Sequence, residues 1–94
     1  MNVNIQYDAI FEYANDGINI IFPDIPEAIT CAYSKNEAIK MAKEVLSIVL
    51  QGKRYYKLPK PSKRSELNLF PNTEIINIKI TMKEHEGLLY RSRD

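Results

Sequence analysis

Two stretches of alternation, far apart in the chain, constrain this fold more than any other feature of the sequence. From Val3 to Tyr13 the odd positions read Val, Ile, Tyr, Ala, Phe and Tyr, while the even ones read Asn, Gln, Asp, Ile and Glu. Successive side chains of a strand point to opposite faces, so this period of two calls for a strand with one face buried and one wet. Ile10 is the one break in the polar set. Glu74 to Lys83 repeats the pattern, with Ile76, Ile78, Ile80 and Met82 on one side and Asn77, Lys79, Thr81 and Lys83 on the other.

The residues between these runs supply the connections. Asn15-Asp16-Gly17 tolerates the backbone of a tight reversal, and Ile18 to Phe22 resumes an apolar run, which predicts an antiparallel hairpin with Asp16 at its tip. Pro23 and Pro26 lack an N–H and restrict the residues before them, so the chain leaves the sheet there and returns as a third strand near Ala28 to Ala32. Ser34-Lys35-Asn36-Glu37 matches a capping box and starts a helix at Lys35. Ala38, Met41, Ala42, Val45, Ile48 and Val49 form its apolar side, and Gly52 ends it. Pro59, Pro61 and Pro71 then lie in a stretch without sustained periodicity. The expectation is an α+β fold in the order β-β-β-α-β, an antiparallel sheet packed by one helix. One domain would cover residues 1–83, with a basic, proline-containing connector at 52–73, and residues 84–94 would form a C-terminal tail.

Composition narrows the function classes. With 45% hydrophobic and 27% charged residues in 94, the chain is neither disordered nor of low complexity. A core of this size is modest, and an exposed strand edge invites pairing with another chain, so a homo-oligomer, most simply a homodimer, is expected. There is no apolar stretch long enough to span a bilayer and no basic, apolar start typical of a secretory signal, which predicts a cytoplasmic protein with no membrane contact. The single cysteine, Cys31, cannot make an internal disulfide, a CxxC pair or a zinc half-site, and in an apolar strand it reads as a buried thiol. His85, in the expected tail, is too remote to serve it as a base. No catalytic residue, metal or cofactor is assigned.

The net charge of +1 conceals a division. Residues 1–50 are acidic, whereas Lys53, Arg54, Lys57, Lys60, Lys63 and Arg64 follow with no acid among them. Asp16, Asp24 and Glu27 fall at predicted turns, and Glu12 on the polar face of the first strand. These four are the candidate partner-binding residues, suited to a basic protein surface. Asp8 shares that face with Glu12, the arrangement a metal-dependent nuclease would begin from, but no third acid is placed beside them and a solvated face is the better account. Lys53-Arg54-Tyr55-Tyr56-Lys57 interleaves cations and aromatics as single-stranded nucleic-acid contacts do. Cations at a helix exit also complement its dipole, and the near-neutral total favours that reading, so direct nucleic-acid binding is not expected.

Taken together, Tyr7-Asp8-Ala9-Ile10-Phe11, Asn15-Asp16-Gly17, Phe22-Pro23-Asp24-Ile25-Pro26 with Thr30, and the Ser-x-x-Glu-Ala start of the helix at Ser34 resemble the N-terminal domain of the HicB antitoxin family over about residues 5 to 62. The resemblance implies a partial ribonuclease-H-like fold without nuclease activity, and a partner in the form of a small basic HicA-type mRNA-cleaving toxin that is inhibited by burial. Two departures stand out. Glu27-Ala28 replaces the family's usual Gly-Cys, and only some eleven residues follow the last expected strand, where the family usually carries a C-terminal DNA-binding domain. The alternative is a stand-alone homo-oligomeric interaction protein without toxin partner or DNA binding.

Overall fold

Both alternating runs form long strands, and they pair with each other. The computed structural model describes residues 1–62 and 70–92. In chain order it contains β1 (Asn2–Ala14), β2 (Gly17–Ile21), β3 (Ile29–Ala32), α1 (Lys35–Leu50), a short 3-10 turn (Tyr55–Lys57), β4 (Thr73–His85) and β5 (Leu88–Arg91). The strands make one sheet in the order β3-β2-β1-β4-β5, every neighbouring pair antiparallel. The architecture is therefore α+β and contains the expected β-β-β-α-β series. We call the end of the sheet near the Asn15-Asp16 turn the upper end, and the end near Met1 the lower end.

Residues 84–92 correct the expectation of a tail over 84–94. Glu84 and His85 complete β4, Glu86 and Gly87 turn the chain with φ of 53° and 84°, and Leu88–Arg91 returns as a fifth strand. Two successive residues with positive φ match the right-handed twist of the flanking strands, which is why two-residue hairpins favour them. Leu89 of this strand is fully buried.

Helix α1 starts as its sequence specifies. Ser34 Oγ accepts the Glu37 N–H at 3.2 Å, and the Glu37 carboxylate accepts the N–H of Tyr33 at 2.8 Å, one residue earlier than a standard capping box. Its buried stripe is Ala38, Ala42, Leu46 and Leu50, spaced by four, while Ile48 is half exposed. Against this stripe lie the odd residues of β1 from Val3 to Phe11, together with Ile18, Ile20, Ile78, Met82 and Leu89. Burying each large aliphatic chain contributes about 1.5–3 kcal/mol before entropy is charged.

The direction of β4 dictates the long connector. The helix descends from the upper end, where Lys35 pairs with Glu74 at 3.2 Å, to the lower end, where the Gly52 N–H reaches the Leu89 carbonyl at 2.7 Å. Because β4 is antiparallel to β1, it must begin at the upper end, opposite Glu12. The chain therefore crosses the molecule a second time between Gly52 and Asn72. Its first part is a strap. Residues 52–55 run beside β5 through Leu89 N–H to Lys53 O at 3.0 Å and Tyr55 N–H to Gly87 O at 2.7 Å. Further along, Tyr7 Oη donates to the Pro59 carbonyl at 2.5 Å, and Ser62 donates both its N–H and its hydroxyl to Asp24. Burial and the charge of Asp24 push the Tyr7 phenol pKa up. Lys63 and Arg64, the last cations of the basic run, lie outside the described residues.

Candidate partner-binding surface

The sheet face turned away from α1 has no covering layer among the described residues, and the register fixes what it displays. Directly opposed residues in an antiparallel pair share a face. Ile10 opposes Ile21 in β2 and Ile75 in β4, and Ile21 opposes Ile29 in β3. Four isoleucines thus form one unbroken row across four strands, on the side where solvated side chains belong. Ile29 is 65% and Ile21 44% exposed, and Ile10 and Ile75 are half-buried. A contiguous apolar band on an otherwise polar face marks an interaction surface better than scattered exposed side chains do.

The next row toward the upper end is Cys31, Asn19, Glu12 and Thr73. Asn19 Nδ2 donates to Glu12 Oε1 at 3.2 Å, which holds the carboxylate along the sheet surface beside the isoleucines. Cys31 is exposed here, contrary to the buried thiol expected from its apolar strand. Beyond it Asp16, Asn19, Cys31 and the 88% exposed Tyr33 surround a hollow of about 200 Å³. On the lower side of the row, Asn77 Nδ2 donates to Asp8 Oδ1 at 2.9 Å. Asp8 and Glu12 are therefore separated by Ile10, each held by its own amide, an arrangement that keeps the two carboxylates from converging on one ion.

The four acidic candidates divide into two places. Glu12 and Asp16 flank the isoleucine row. Asp24 and Glu27 line a cleft of about 460 Å³ with Lys53, Arg54, Lys57 and Leu58, on the strap side of the molecule. There Asp24 accepts from Ser62, and Glu27 pairs with Lys53 at 2.9 Å. Lys53 holds the Glu27 carboxyl below the usual carboxylate range. The structure thus engages Asp24 and Glu27 within the chain and leaves Glu12 and Asp16 on the open face. The isoleucine row escaped sequence reading because only one of its members, Ile10, stood out, as a break in an otherwise regular alternation.

The sequence is similar to that of a known antitoxin. Over 70 residues the chain is 34% identical to Antitoxin HicB 2 of Photorhabdus laumondii subsp. laumondii, a match covering 70% of this chain and 49% of that protein. The chain belongs to the HicB-like antitoxin family. It spans about half the length of the curated HicB relative it matches. No protein-family model matches it. Residues that carry the HicB resemblance have mainly architectural roles: Tyr7, Ala9 and Phe11 of β1, and Phe22 just after β2, are all buried in the core. No helix among the described residues is long and apolar enough to cross a membrane.

Proposed function

We propose that this HicB-like chain is a non-catalytic binding module, acting in the cytoplasm, that neutralises a small basic HicA-type mRNA-cleaving toxin by covering its active face. The observation that carries this reading is the isoleucine row, an apolar band of interface character flanked by Glu12 and Asp16. The band would supply the desolvated centre of a contact, and the two acids would steer and orient a basic partner. Asp24 and Glu27, committed to Ser62 and Lys53, would act through the strap rather than by direct contact.

The test is co-expression of the tagged chain with the product of an adjacent small reading frame. Expected is a complex that survives purification, weakens as salt rises and abolishes the partner's RNA cleavage. Failure to bind, or binding without loss of cleavage, removes the toxin from the account. One observation favours the alternative, a homo-oligomeric interaction protein. β5 covers β4 only from Met82 to His85, so the edge of β4 from Thr73 to Thr81 has no strand partner among the described residues and could pair with a second copy. Light scattering on the chain purified alone measures that separately.

A further inference from the structure

The lower half of the open face has a different chemistry, and it gathers residues that the sequence scatters. Below Asp8 the opposed pairs are Gln6 with Lys79, Asn4 with Thr81, and Asn2 with Lys83, and Lys83 in turn opposes Tyr90. These rows hold amides, a hydroxyl, two lysines and an aromatic ring, with no carboxylate. Asn4 and Gln6 form a ridge between two hollows. One, of about 290 Å³, lies toward β4 and is bounded by Lys79 and Thr81. The other, of about 380 Å³, separates β1 from the strap and is bounded by Tyr55, Tyr56, Lys60 and Pro61. No carboxylate lines either hollow.

The second hollow exists because β2 pairs with β1 only from Ile10 to Ala14, so the β1 edge from Asn2 to Ala9 faces the strap instead of a strand. Ladder bonds to β5 and the Tyr7–Pro59 hydrogen bond fix the strap in place. This presents Tyr56 69% exposed, packed over Gly87, and Tyr55 43% exposed. Tyr55 and Tyr56 of the Lys-Arg-Tyr-Tyr-Lys run thereby form, with Lys60, one wall of a groove whose other wall carries Asn4 and Gln6, with Lys79 and Lys83 one strand further, while Lys53, Arg54 and Lys57 of the run face the separate cleft.

We propose that this groove binds single-stranded nucleic acid, with Tyr55, Tyr56 and Tyr90 as stacking surfaces for bases, Lys60, Lys79 and Lys83 as phosphate contacts, and the Asn4 and Gln6 amides facing base edges. Sequence-tolerant binding of single strands needs this combination of exposed rings and a cationic track. A near-neutral net charge does not oppose it, because no carboxylate lines either hollow: Asp8, Glu12 and Asp16 lie higher on the face and Asp24 and Glu27 in the separate cleft with internal partners, while Glu44 shares a different hollow with Lys79 and Glu84 is engaged by the Gly87 N–H. The site is distinct from the isoleucine row and stands whether or not the antitoxin reading does.

The experiment is fluorescence anisotropy of the full chain with a labelled uridine-rich RNA of about ten nucleotides at low salt. Saturable binding is expected, with a log–log salt slope of about −2 for three phosphates neutralised on a single strand. Tyr56→Ala should weaken binding about tenfold, a typical loss for one stacked base. Lys79→Glu with Lys83→Glu should weaken it at least as much, while Lys35→Glu at the upper end of α1 should leave it within about twofold. Circular dichroism melts of each variant verify the fold. A DNA oligonucleotide of the same sequence separates the sources: equal affinity assigns the contact to bases and phosphates, and preference for RNA adds the ribose hydroxyl. No saturable binding, equal loss in Lys35→Glu and in the Lys79→Glu, Lys83→Glu double variant, no loss in Tyr56→Ala, or full displacement by polyglutamate each overturns the proposal.

Discussion

The two halves of the open sheet face are built from the same strands yet differ in both chemistry and support. The upper half rests on a continuous ladder from β3 to β4, and its central row is apolar, with acids beside it. The lower half is polar and cationic, and on one side it is bounded by a strap rather than a strand. The face of a sheet is thus not one surface. Where neighbouring strands run alongside, cross-strand pairs align into rows that can present a flat apolar band. Where a strand stops short, as β2 does at Ile21, the exposed edge leaves a groove.

The largest effect that would separate the halves is Ile21→Asp, a charge in the middle of the row at a site already 44% exposed. It should weaken capture of a protein partner about a hundredfold, the loss expected at the centre of an interface, with the melting temperature nearly unchanged and oligonucleotide binding intact. Parallel loss of both activities would erase the division. Next comes Gly17→Ala. Its φ is 151°, and an added Cβ would stand 2.8 Å from the Ala32 carbonyl oxygen, so β2 and β3 must part. A cost of about 1–3 kcal/mol is expected in chemical denaturation, with faster amide exchange in β3 but not in β5.

Tyr7→Phe tests the lower half by removing the hydroxyl that ties the strap to Pro59. It should lower stability by about 1 kcal/mol and speed exchange at Tyr55 N–H ahead of the β1–β2 ladder. The smallest effect concerns the upper corner, where Tyr13 Oη donates to Glu74 at 2.6 Å and Lys35 pairs with the same carboxylate. The Tyr13 hydrogen bond, then Lys35, hold the Glu74 pKa below its ordinary 4.5, so this contribution is present above that pH and is lost as pH falls through the lowered value. The Glu74 bond, aided by burial, pushes the Tyr13 phenol from 10.0 up to about 12, so its contribution is present below pH 10.0 and fades as pH rises to about 12. Thermal midpoints of Tyr13→Phe should therefore fall less at alkaline pH than those of the parent chain, the raised Tyr7 phenol keeping its own part of the decline.

How much of this was legible depended on whether a signal was local. Alternation gave β1 and β4, and the Ser34–Glu37 cap gave the helix start, because each is decided within a few residues. The same local reading assigned Ile48 to the apolar side of α1 and overlooked Leu46 and Leu50, which bury fully once the sheet is present. β5 was missed because Glu86, at φ 53°, occupies a turn position where Asn or Asp is the usual sign. The binding surfaces were the least legible part. Ile10, Ile21, Ile29 and Ile75 become one feature only through the register, and Tyr56 and Asn4 become neighbours only through the strap.

The pairing of β1 with β4 also sets an order of events in synthesis. Asn2 opposes Lys83 and Glu12 opposes Thr73, so the first strand made depends along most of its length on one of the last. Until residue 73 has left the ribosome, the Asn2–Ala9 stretch has a strand partner on neither side. Contacts this distant in sequence close late and fold slowly, and a bare apolar strand is the species that aggregates or recruits chaperones. A nascent chain halted before β4 should consequently be sensitive to protease along its first nine residues, and gain protection there only once the C-terminal hairpin is complete.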